Sequence, residues 1–119
     1  MAGYVESKWH SPGSPNNLVK VDMSPATGLP PAQAAAQVHS DLLREQGYHQ
    51  VTFGPGSLTQ HAPSVEWIFT LPGSERVDWF FSQCGHDFAV LGATAPGSFN
   101  QLLSSFTSFA EAVQATCGQ

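Results

Sequence analysis

Five histidines, two cysteines and nine acidic residues hold whatever chemistry this 119-residue chain could perform. A bound metal would need two or more of His10, His39, His49, His61 and His86 together, at i, i+4 on a helix or at short extended spacing. None of the five has such a partner in the sequence and no carboxylate cluster accompanies them, so they read as scattered surface histidines and no metal is expected. Cys84-Gly85-His86-Asp87 sets a nucleophile, a base and a carboxylate side by side. Catalytic groups usually converge from separate segments, because neighbours on an extended chain point to opposite faces. Gly85 is expected to turn the chain, which parts Cys84 from His86. Glu66 and Asp78 fall on strands that should be adjacent, as an acid/base pair would. Alternating with apolar residues, they read instead as a solvated face, with Arg76 or Lys20 to neutralise one of them. Gly54-Pro55-Gly56 lacks the Gly-Lys-Ser/Thr continuation of a phosphate loop. No catalytic residue and no cofactor are therefore expected, and the chain reads as a non-enzyme.

Cys84 and Cys117 permit one disulfide, and closing that long loop would restrict the unfolded chain. Two free, partly buried thiols are the alternative. Trp67 and Trp79 read as core residues, while Trp9, on a terminal strand, is more open to solvent.

The elements that must position these residues follow from composition and period. The hydrophobic share is 41%, enough for a core, and the length suits one domain over 1–119, with residues 1–16 as an irregular or edge-strand lead-in. Four Lys+Arg against nine Asp+Glu leave no electrostatic footprint for nucleic acid. No apolar run reaches the roughly 20 residues of a membrane span. Met1 to Glu6 has neither the basic nor the apolar region of a signal peptide and reads as a start methionine on an excised domain. Low charge with abundant Ser, Thr, Gln, Gly and Pro leans toward an exported protein.

Tyr4–Trp9 and Leu18–Met23 read as a hairpin joined through the Pro/Gly/Asn-rich stretch 11–17. Pro30-Pro31 opens a helix whose narrow stripe is Ala35, Val38 and Leu42, and Gly47 is placed to stop it after Gln46. From residue 48 the period becomes two. Strands follow around Val51–Phe53, Val65–Leu71, Arg76–Phe81 and Phe88–Gly92, with Ser57–His61 as a segment that could pair back. Trp67-Ile68-Phe69 and Trp79-Phe80-Phe81 are apolar on both faces, so the middle of the sheet should be covered on both sides. Ser98 with Gln101 predicts a capping box. The helix it opens carries Phe99, Leu102, Leu103, Phe106, Phe109, Ala110 and Val113 as a wide stripe, and Gly118 would end it.

This order of elements resembles the PsbP/Mog1-like α/β/α sandwich over residues 17–116. More narrowly it resembles the extracytoplasmic domains of actinobacterial lipoproteins and of membrane-anchored serine/threonine kinases. The matching stretches are Trp67–Thr70 for "W-x-F-T", Arg76–Phe81 for "R-V-x-x-F/W-F", Phe88–Val90 for "Y/F-A-V/L" and Pro96–Phe99 for "P-x-x-F/W". The resemblance implies a binding domain without catalytic residues.

The expected fold is therefore α/β (α+β), an antiparallel sheet of about six strands with helices packed on it. The expected function is non-catalytic recognition of a small ligand or protein partner, outside the cytoplasm, by a monomer or weak dimer. A groove should lie where the small side chains of the first helix leave the sheet uncovered. Trp9, Tyr48, Trp67 and Trp79 are its candidate wall, and His61 or Arg76 its polar contact. The rival readings are a small NTF2-like cone-fold enzyme and a structural subunit that pairs through its edge strand.

Overall fold

A computed structural model describes residues 5–11, 14–56, 58 and 63–116. Six strands, β1 (Val5–Ser11), β2 (Ser14–Pro25), β3 (His49–Pro55), β4 (Val65–Leu71), β5 (Ser74–Gln83) and β6 (His86–Thr94), form one sheet in the order β1-β2-β6-β5-β4-β3. Every neighbouring pair is antiparallel. The meander β4-β5-β6 forms where period-two hydrophobicity is interrupted by two-residue turns. Pro72-Gly73 joins Leu71 to Ser74, with Gly73 at φ +74°, and Cys84-Gly85 joins Gln83 to His86, with both turn residues in the left-handed region. The first hairpin is longer than its apolar alternation suggests, because pairing with β6 runs from Leu18 through Pro25.

One helix lies on each face, as the two-sided apolar strands require. Helix α1 (Pro31–Leu42) presents Ala35 to Trp67, Phe69 and Phe80. Helix α2 (Phe99–Ala115) presents Phe99, Phe106 and Ala110 to Val77, Trp79, Phe81 and Val90. Burying the larger of these side chains is worth roughly 1.5–3 kcal/mol each. A helix on either side makes a three-layer sandwich rather than the cone of the rival enzyme reading.

Three local expectations are corrected. Helix α1 stops at Leu42, not Gln46: successive turns follow, with Glu45 N–H donating to Leu42 O and Tyr48 N–H to Glu45 O. This route sets Tyr48 against Phe69, ring centroids 5.6 Å apart. Gly47 (φ +82°) serves that route instead of the helix end, since a β-carbon there would stand 2.6 Å from Pro72 Cγ. The capping box is absent. A 3₁₀ turn over Pro96–Ser98 precedes α2, Ala95 takes the extended conformation, and Ser98, at φ −107° and ψ −6°, makes no side-chain cap. Third, Asp78 is not solvated: it is only 7% exposed. Gly118 and all of the Ser57–His61 segment except Leu58 lie outside the described residues; Leu58 itself is buried.

Candidate functional site

Alternation along β5 sends Val77, Trp79 and Phe81 to the α2 face and Arg76, Asp78 and Phe80 to the α1 face. Helix α1 covers β4 and β5 but stops short of β6 and β2. Its Val38 and Leu42 therefore overhang a groove of about 180 Å³. The groove's floor is Phe69, Phe80, Ala89 and Leu91, and its polar end is Lys20, Asp22, Arg76 and Asp78. A second, more open depression of about 260 Å³ shares Asp22, Val38, Phe80 and Ala89 with the first and runs on toward Thr27, Leu29 and Asp87.

The charges at this end are unequally matched. Lys20 Nζ lies 3.3 Å from Asp22 and 3.8 Å from Glu6, so two carboxylates hold it. Arg76 Nε and Asp78 Oδ1, by contrast, are buried without a hydrogen-bond partner. Burial pushes the Asp78 carboxyl up to about 7; Arg76 and Lys20 oppose the rise and Asp22 adds to it. A carboxyl in that state accepts a hydrogen bond when ionised and donates one when protonated. In the second depression Asp87 is held the other way. Partial burial would raise it, but hydrogen bonds from Ser82 Oγ (2.6 Å), Thr27 Oγ1 (2.9 Å) and Thr27 N–H (3.1 Å) outweigh that and keep it below the usual carboxylate value.

Of the residues expected to line a site, Arg76 lies in the groove. Trp67 and Tyr48 are on the same face but under the other side of α1, in an aromatic cluster closed by His39. The His39 ring is 4.5 Å from Phe53 and 5.2 Å from Trp67, and its Nε2–H donates to Gln50 Oε1 at 2.6 Å. Trp67 Nε1–H donates to Tyr48 Oη at 3.0 Å. Trp79 is buried on the α2 face and donates to Glu66 Oε1 at 2.8 Å. Glu66 and Asp78 therefore face opposite layers. Trp9, 51% exposed, meets Phe109 edge-on at 5.7 Å, also on the α2 side. His61 and Cys117 lie outside the described residues. His86 Nδ1–H donates to the Cys84 carbonyl at 3.1 Å. Lys20, Asp22 and Asp78 were not among the expected site residues. Their signal is two charged pairs at i, i+2, Lys20/Asp22 and Arg76/Asp78, each alternating with apolar residues, Val21 and Met23 or Val77 and Trp79.

The architecture has counterparts among solved structures. A candidate regulator of unknown function from Pseudomonas aeruginosa superposes with a TM-score of 0.70 at 10% identity, covering 93% of this chain and 83% of that one. Cyanobacterial PsbP from Synechocystis superposes with a TM-score of 0.58 at 10% identity, covering 92% of this chain and 79% of PsbP. The chain has a PsbP/Mog1-like fold. No family profile and no curated protein sequence matches it. In this PsbP-like sandwich the groove arises because a 12-residue α1 spans only part of a six-stranded sheet.

Proposed function

We propose that this chain is a non-catalytic ligand-binding domain of an extracytoplasmic protein, with the groove beside α1 as its site. One observation carries the reading: a donor, Arg76 Nε, and an acceptor, Asp78 Oδ1, are both buried and unpaired on the wall of the same open groove. Buried polar atoms are nearly always paired, and leaving one unmade costs roughly 1–3 kcal/mol. A bound molecule supplying the complementary atoms would remove that cost. The groove's ionisable groups are charge partners rather than a nucleophile with its base, which favours binding over catalysis.

The extracytoplasmic part of the reading rests on Cys84 and Cys117. Gln83 Nε2–H donates to Gln114 O at 3.0 Å, which ties the last turn of α2 to the strand leading into Cys84. Cys117 follows three residues later in the sequence, and a disulfide between it and Cys84 would persist in an oxidising compartment.

Fragment screening by two-dimensional NMR tests the site. Hits are expected to shift Arg76, Asp78, Leu91 and Val38 together. Hits that gather on Trp9 and Phe109 instead would move the binding surface to the β1 edge and replace this reading with partner docking.

A further inference from the structure

The groove's chemistry narrows its occupant, and this step rests on the ligand-binding reading above. Of the two cations that line the groove, Lys20 is already held by Asp22 and Glu6, whereas Arg76 has the Asp78 carboxyl as its charge neighbour and an unpaired Nε–H. The unpaired Nε–H of a permanently charged guanidinium calls for an acceptor, best an anionic oxygen. Beyond the polar end the surface is hydrocarbon: Phe69, Phe80, Leu91, Val38 and Leu42. At about 180 Å³ the groove is smaller than the roughly 300–1,000 Å³ of sites for drug-sized ligands, so the body it receives is short.

We propose that the groove takes a small apolar monocarboxylate, its carboxylate seated between the Arg76 guanidinium and the Asp78 carboxyl and its hydrocarbon body lying under Val38 and Leu42. An ammonium ligand is disfavoured because it would sit against the Arg76 guanidinium and bring no acceptor for its Nε–H. The second contact follows from the state of Asp78. Desolvation lifts its carboxyl to about 7, so near neutrality it carries a proton readily and can donate to a ligand oxygen. The charged groups facing it are Arg76 on β5 and Lys20 and Asp22 on β2, with Glu6 of β1 behind Lys20 and Lys8 opposite Lys20 in register. Helix α1 shows it Val38 and Leu42. The titratable residues of that helix are His39, which points into the aromatic cluster, and the exposed Asp41. Strands β4 and β6 contribute Phe69, Ala89 and Leu91. Seating an anion thus takes up a proton at Asp78, and binding weakens as pH rises.

Titration with hexanoate, hexylamine and hexan-1-ol, followed by NMR, tests this. Hexanoate is expected to bind tightest and to shift the Arg76 Nε–H and the methyls of Val38, Leu42 and Leu91. It stays ionised from about pH 6 to about pH 8, so a loss of affinity approaching tenfold per unit above the Asp78 transition reports a group of the protein rather than the ligand, and Asp78→Asn assigns it. Arg76→Gln should abolish hexanoate binding while leaving the dispersed spectrum intact. Asp78→Asn, which keeps a neutral donor, should bind hexanoate with no pH dependence. Preference for hexylamine, or unchanged affinity in Arg76→Gln, would overturn the carboxylate assignment and leave the groove standing as a site. No probe or fragment shifting any groove resonance would remove the site itself.

Discussion

Gly92 on β6 and Phe106 on α2 occupy complementary space. A β-carbon at Gly92 would clash with the Cγ edge of the Phe106 ring, so the absence of a side chain on the strand is what lets the helix approach. This contact is central to the α2 layer, where Phe106 packs with Phe99, Val90 and Trp79.

Gly92→Ala should therefore destabilise the protein by about 1–3 kcal/mol through overpacking. Phe106→Ala should cost about 3–5 kcal/mol through cavity formation. Urea denaturation measures both. If the contact is as described, Phe106→Leu combined with Gly92→Ala will cost less than the sum of the two single changes.

Asp78 gives stability a specific pH profile. Its folded pKa, about 7, lies above the 3.8 of an unperturbed carboxyl, so between those values the folded chain holds a proton that the unfolded chain releases. Stability should fall as pH rises from about 4 to about 7, by an amount on the order of a few kcal/mol, and level off above that. Asp78→Asn should flatten the profile and be the more stable form at high pH. Urea midpoints measured across this range check it, and a wild-type midpoint that rises through it would contradict the burial of an unpaired carboxyl.

Asp87 acts with the opposite sign. Its lowered pKa means that the stability it contributes is present above the ordinary carboxylate range and is lost as pH falls through its folded value. Asp87→Ala should free the Thr27 segment ahead of α1 at a cost of about 1 kcal/mol. Amide exchange at Thr27 should accelerate well beyond the change seen in the β4-β5-β6 meander.

Pairing of Cys84 with Cys117 would close a loop of roughly 30 residues and contribute roughly 3–4 kcal/mol. Thiol labelling of the unreduced, denatured protein should find no free cysteine. Reduction, or Cys84→Ser together with Cys117→Ser, should lower the urea midpoint. Full labelling without reduction would remove both the bond and the argument for an oxidising compartment.

Most of the architecture was legible in the amino-acid order, because it follows from local periods. Period two across Val65–Leu71, Arg76–Phe81 and Phe88–Gly92, broken by Pro72-Gly73 and Cys84-Gly85, dictates an antiparallel meander whatever surrounds it. Strands apolar on both faces demand two covering layers, and the Phe99-to-Val113 stripe supplies one of them. The short, small-residued α1 likewise implied an incompletely covered sheet. The composition of the groove was not legible. Lys20 and Asp22 stand near Asp78 only because β2 pairs with β6, across some 60 residues of chain, and no local pattern encodes that choice. The same pairing, with α1 ending at Leu42, decides that Asp78 lies under an overhang rather than in water. Strand register parts Trp79 from Trp67, since across the β4-β5 pair Trp67 stands opposite Asp78 and Trp79 opposite Glu66. Sequence periodicity specifies which residues share a face. Burial, and with it the ionisation of Asp78, depends on what the folded chain brings over that face.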